Sequence, residues 1–204
     1  MGRRFSHWTP RYILNRITLI AYERTHPESP WLTRTMIEIL ASWLRPEDRG
    51  LEWGSGRSTV WFAQRVNHLI SIEHDESWYR RIETKVKEKG LGNVDYRFYR
   101  NPSEYISVSE QLPRESLDFV LVDGVVRDKC ALAAIPILKQ GGILIIDNCN
   151  WYLPCESYSP GSRDALEGAA SEEWESFLHK VTSWRRVWTT NGITDTTLWV
   201  KKAK

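Results

Sequence analysis

Residues 51–59 read Leu51-Glu52-Trp53-Gly54-Ser55-Gly56-Arg57-Ser58-Thr59: a short apolar run holding a carboxylate, then a Gly-Ser-Gly turn, then hydroxyls. A strand that ends in a glycine turn and feeds a helical pattern is the ligand-binding edge of an open α/β sheet. Gly54 and Gly56 lack the third glycine of the dinucleotide fingerprint G-x-G-x-x-G, because Thr59 stands in its place. The phosphate loop G-x-x-x-x-G-K-[ST] is absent as well. A carboxylate beside the turn repels phosphate and attracts a cationic group.

Outward from this turn, apolar runs alternate with helical patterns as far as Asn148. GLEW, HLISIE, VDYRFY, LDFVLVD and GILIID read as strands, and the last two are almost wholly apolar, as central parallel strands covered on both faces are. Between the second and third, Trp78, Ile82 and Val86 recur on one helical face, Asp75 caps the start and lysines crowd the end before Gly90. Cys130 to Gln140 is helical with Pro136 inside it, which predicts a kink or a division, and Gly141-Gly142 ends it. From Thr9 to Trp43 two helical pieces flank the double-proline segment His26–Pro30. After Asn148 a stretch rich in Pro, Gly and Ser carries Trp151, Tyr152 and Tyr158 and reads as a binding loop or lid. A helix near Ser171–Lys180 follows, and two strands then flank the turn Asn191-Gly192-Ile193.

These patterns predict one domain over residues 1–204: an N-terminal helical extension (1–45) and a Rossmann-like core (50–202). The fold class is α/β, a doubly wound, mostly parallel sheet with a C-terminal antiparallel hairpin. Ligands of such sheets bind beyond the carboxyl ends of the strands, which directs attention to Trp53, Glu73, Asp123 and Asp147.

Composition narrows the partners. A net charge of +2, from 28 basic and 26 acidic residues, gives no reason to expect nucleic acid. Three cysteines without a CxxC pair suit reduced thiols in the cytoplasm. Charged residues interrupt every apolar run long enough to matter, so neither a signal peptide nor a stable membrane association is expected. Met1 to Ser6 fits the loose myristoylation pattern at Gly2, with Arg3, Arg4, Arg11 and Arg16 nearby; a solvated basic arm explains the same residues.

Among nucleoside cofactors, S-adenosylmethionine (SAM) suits the turn, since it carries an ammonium and a sulfonium and no phosphate. E-x-G-x-G-x-S-T after the first strand, SIEHDESWY at the second, LDFVLVDG at the fourth, LKQGGILIIDN at the fifth and the terminal hairpin resemble the Rossmann-like (class I) SAM-dependent methyltransferases. The resemblance covers about residues 50 to 202. It implies that Glu52 lies near the amino-acid end of the cofactor and that Gly54, Ser55 and Gly56 form the turn beneath it, with Ser58 beyond. It also implies that Glu73 accepts from the ribose hydroxyls, with His74 and Asp75 beside the adenosine and Asp123 facing cofactor and acceptor. Glu73 also reads as a helix-entry acid favoured by the dipole.

On the acceptor side, Asp123, Asp147 and Asn148 end neighbouring strands, and their oxygens are of the kind hard cations take. Asp then Asp-Asn, with Trp151 beyond, partly resembles the cation-dependent O-methyltransferases of the catechol and caffeoyl-CoA kind, which implies Mg2+ on these three residues. VDGVVRDKC departs from that family, with Arg127 where a lysine is expected. Asp123 and Asp147 also read as strand caps or cofactor contacts, and Asp123 as a general base. Trp61 and Trp78 read as core; Trp151, Tyr152 and Tyr158 either stack on a flat acceptor or sugar ring or pack beneath their own loop. The expected activity is methylation of an oxygen on a small molecule or glycan intermediate. Its rivals are a nicotinamide-dependent Rossmann oxidoreductase and a non-catalytic binding protein with the same fold.

Overall fold

A computed structural model describes residues 8–203; the myristoylation pattern lies outside them. Two helices come first, α1 (Pro10–Thr25) and α2 (Arg34–Trp43), divided where the prolines of residues 26–30 predict. Strand and helix then alternate: β1 (Arg49–Trp53), α3 (Arg57–Ala63), β2 (His68–Glu73), α4 (Glu76–Glu88), β3 (Val94–Phe98), α5 (Pro102–Ser107), β4 (Leu117–Val122), α6 (Arg127–Ile137) and β5 (Leu138–Asp147). After an irregular stretch come α7 (Glu172–Val181) and the hairpin β6 (Arg185–Thr190) and β7 (Asp195–Val200).

Seven strands form one sheet in the order β3-β2-β1-β4-β5-β7-β6, with β7 antiparallel to both its neighbours and all other pairs parallel. The chain runs from β1 out to β3 and then returns to lay β4 on the other side of β1. The switch point therefore falls between β1 and β4, where the carboxyl ends of the strands part. One apolar layer packs the sheet under α6 and α7, through Val120, Ile146, Trp174 and Phe177, and the other under α2 and α3, through Met36, Leu40, Phe62 and Phe119.

Local chemistry sets the helix starts. Asp75 accepts from the Trp78 N–H at 2.8 Å, Asn101 from Ser103, and Ser171 from Trp174, each satisfying a donor the first turn leaves open. Pro136 does not divide α6, which stops one residue later at Ile137. The Gly-Gly pair does not end that helix either: Gly141, at φ 77°, lies inside β5 where its register against β4 jumps, Leu138 facing Leu117 and Ile143 facing Phe119. Three extra residues bulge out there, a distortion a left-handed glycine accommodates.

The stretch after Asn148 is tied down along its length. Asn150 is buried and donates to the Pro160 carbonyl and the Ser162 hydroxyl, Leu153 is buried, and the Arg163 guanidinium donates to the Glu167 and Gly168 carbonyls. Tyr152 stacks on Trp174, ring centroids 5.5 Å apart, and so belongs to the packing; Trp151 and Tyr158 stay exposed. Trp61 is core as expected, whereas Trp78 is only half-buried.

Candidate active site

At the switch point a crevice of about 350 Å³ opens beyond β1, β2 and β4, lined by Gly54, Ser55, Glu73, His74, Asp75, Ser77, Trp78, Asp123 and Gly124. Its floor is where two chain ends meet. A Cβ on Gly54, which has φ 97°, would stand 2.5 Å from the Gly124 nitrogen, and one on Gly124 would stand 2.0 Å from the Tyr105 hydroxyl. Gly54 is thus required by the approach of β1 to β4. Gly56 differs: a Cβ there would meet nothing nearer than the Ser58 hydroxyl at 3.9 Å, which leaves room for a ligand against the turn.

Glu73 closes the end of β2, and its side chain is almost fully buried. Oε1 accepts from the His74 and Asp75 N–H groups at 2.8 and 2.9 Å, and Oε2 from the Ser55 N–H at 3.1 Å and hydroxyl at 2.7 Å. Because the Ser55 hydroxyl also lies 2.7 Å from the Tyr96 hydroxyl, it has an alternative partner when a ligand hydroxyl takes its place. Trp78 supports the same turn by donating its indole N–H to the Ser55 carbonyl at 2.7 Å. The sequence reading placed Trp78 in the core and did not single out Tyr96.

Glu52 and Trp53 do not reach the crevice. The Trp53 ring is buried and donates to the Tyr105 carbonyl. Glu52 is fully buried beneath the start of α3, where Oε1 accepts from the Ser71 hydroxyl at 2.6 Å and from the Thr59 hydroxyl. Thr59 in turn accepts from the Gly56 N–H, so the carboxyl braces the turn from below. Its other oxygen has no hydrogen-bond partner among the described residues. Burial pushes this carboxyl up to about 7, against the pull of the Ser71, Thr59 and Ser58 hydroxyls.

On the acceptor side one arginine organises the strand ends. Arg127, on the first turn of α6, donates to the backbone carbonyls of Asp123, Gly124 and Asp147 at 2.8, 2.9 and 2.6 Å, and to Asn148 Oδ1 at 2.9 Å. It also pairs with the Asp123 carboxylate at 3.0 Å. Asp147 is buried and accepts from the Thr196 hydroxyl at 2.6 Å; Asn148, at φ 51°, donates to the Thr194 hydroxyl at 2.6 Å. Burial raises both carboxyls. For Asp147 the like charge of Asp123 adds to the rise, and for Asp123 the neighbouring guanidinium opposes it.

The expected Mg2+ ligands therefore do not fit a divalent cation. Asp123 and Asn148 face a guanidinium and Asp147 faces a threonine under the hairpin, and no cluster of three or more His, Cys, Asp or Glu among the described residues has metal-holding geometry. Of the two acids expected to be catalytic, only Asp123 borders the crevice. The decisive residue is Arg127, which the sequence marked only as a departure from the expected lysine and to which it gave no role.

Residues 51–149 match the model of a family described as a methyltransferase domain. Among solved structures, a methyltransferase from Geobacter sulfurreducens has a TM-score of 0.59 at 16% identity, over 96% of this chain and 90% of that one. A SAM-dependent methyltransferase from Aquifex aeolicus has a TM-score of 0.52 at 17% identity, over 80% and 87%. A putative rRNA-methylase from Clostridium thermocellum has 0.59 at 12%, over 86% and 99%. No curated protein matches the chain. At these identities the structural likeness is one of fold, and of the three descriptions only the rRNA-methylase names an acceptor. The family match and the shared fold bear out the resemblance to the class I SAM-dependent methyltransferases.

Proposed function

We propose that this class I methyltransferase domain binds SAM in the switch-point crevice and transfers its methyl group to an oxygen of a small-molecule or glycan acceptor. The observation that carries the cofactor assignment is the charge of the crevice. Glu73, Asp75 and Asp123 line it, and no lysine or arginine is among its lining residues. A dinucleotide would bring a pyrophosphate to those carboxylates, whereas a cofactor with an ammonium and a sulfonium brings compensating charge.

When bound, SAM supplies an electrophilic methyl group on a positively charged sulfur. Glu73 is the acceptor for the ribose hydroxyls, which take the place of the bond that the Ser55 hydroxyl now donates. Asp123 is the candidate base: it would take the acceptor's hydroxyl proton while the bound cofactor supplied the methyl group to that oxygen. A carboxylate raised by burial yet kept ionised by Arg127 suits that task near neutral pH. Asp147, held by Thr196, is a positioning residue that backs this edge. Trp151, exposed just beyond β5, offers a ring face to a sugar or aromatic acceptor, whereas Tyr158 lies against Arg11 of α1.

Calorimetric titration with S-adenosylhomocysteine and with NADH tests the cofactor, and a screen for S-adenosylhomocysteine release over phenols, sugars and peptides tests the acceptor. Binding of NADH alone would overturn the first assignment. Turnover confined to nitrogen nucleophiles would overturn the second.

A further inference from the structure

The first helix carries its apolar side on the outside. Ile13, Ile17 and Ile20 recur at helical spacing, with Leu14 and Ala21 beside them, and form one stripe along α1. Ile13, Leu14, Ile17 and Ile20 are 45, 64, 59 and 38% exposed, and no residue of α1 is buried. The face turned to the protein is mixed instead: Leu19, Tyr22 and Glu23 border a cleft with Trp31, Leu32 and Asn191. A helix seated only to cover its own fold would be turned the other way.

The charges around the stripe are of one sign. Arg16 and Arg24 are exposed, Arg11 lies over the Tyr158 ring, and Glu23, the one acid of α1, is half-buried on the inner side. Trp8, 58% exposed, lies just before the helix, its ring 5.9 Å from that of Tyr12. No described helix is long and apolar enough to cross a membrane, so α1 cannot span one. Covering the four aliphatic side chains would bury on the order of 400 Å² on this chain, well short of the roughly 800 Å² per partner of a stable protein interface. A lipid surface needs no matching partner face, accepts the aliphatic stripe among its acyl chains and leaves the arginines at the headgroups.

From this geometry we infer that α1 is an in-plane anchor that docks the enzyme on an anionic phospholipid surface. This revises the expectation of no stable membrane association, and it stands whatever the cofactor proves to be.

Flotation of the full chain with vesicles tests it, using phosphatidylcholine alone and phosphatidylcholine with about 30 mol% phosphatidylserine. Wild type should float with the anionic vesicles and at least tenfold less with the neutral ones, and 0.5 M NaCl should weaken the binding. Ile17→Glu and Arg16→Glu should each reduce binding to anionic vesicles tenfold or more. Both substitutions sit on an exposed face, and thermal unfolding verifies that each variant is folded. Absence of flotation with anionic vesicles, or flotation of folded Ile17→Glu equal to wild type, would overturn the inference. So would a stable dimer in light scattering that Ile17→Glu dissociates, because a second copy would then own the stripe.

Discussion

Arg127 donates through Nη1 to the side-chain oxygen of Asn148 at 2.9 Å, so the amide oxygen expected to face a metal ion already faces a cation. The same guanidinium spans from the end of β4 to the end of β5 through the carbonyls of Asp123, Gly124 and Asp147. Five donors in a rigid fork make this possible, and a lysine ammonium has no equivalent reach. Arg127→Ala should cost about 3 kcal/mol in urea denaturation, because it leaves the Asp123 carboxylate uncompensated. Arg127→Lys should recover less than half of that. Stability equal to wild type in both variants would show that the strand ends hold together without the arginine.

If the arginine already supplies the positive charge, methyl transfer needs no added metal. On any acceptor found in the screen, EDTA should leave turnover within about twofold, as should later addition of Mg2+. A loss of turnover that Mg2+ restores, with S-adenosylhomocysteine affinity unchanged, would mean that Arg127 gives way to an ion when the acceptor arrives.

Glu73 offers a sharper view of the cofactor. Its carboxylate is surrounded by N–H and O–H donors, with His74 Nδ1 2.9 Å from Oε1, and one of the donors, the Ser55 hydroxyl, has a second partner in Tyr96. Glu73→Ala should weaken S-adenosylhomocysteine binding by about 1.5–3 kcal/mol, or roughly ten- to more than a hundredfold, in calorimetric titration. Ser55→Ala should cost little and is the informative control. Unchanged affinity in Glu73→Ala would remove the end of β2 from the cofactor site.

The fold was legible because its signals are local. Apolar runs of strand length, the Asp75 cap and the prolines of residues 26–30 each act within a few residues, and each predicted element is present. The strand ends that carry acids were legible for the same reason. What each acid touches was not, because that is set by register and by turns far apart in the chain. Glu52 faces Ser71 only because β1 pairs with β2 in that register, and Arg127 reaches Asn148 only once β5 lies beside β4. Tyr152 could not be told from an acceptor platform until α7 brought Trp174 beneath it.

Glu52 leads to the last prediction, on stability against pH. Its carboxyl is raised to about 7 in the folded protein from an ordinary value of 4.5, so the folded state holds the proton more tightly than the unfolded state does. The stability this adds is complete below about pH 4.5, declines as pH rises through 7 and is gone above that. A shift of this size corresponds to a few kcal/mol, on the order of 1–3, given that a buried network relaxes when it ionises. Glu52→Gln keeps the shape and an oxygen for Ser71 and Thr59 but has no proton to lose. Urea denaturation at pH 5 and pH 8 should therefore show wild type losing more stability than Glu52→Gln over that interval, the loss that remains in the variant coming from the upward-shifted Asp123 and Asp147. Parallel pH dependences would mean that Glu52 stays ionised in the fold, with an unseen donor on its second oxygen.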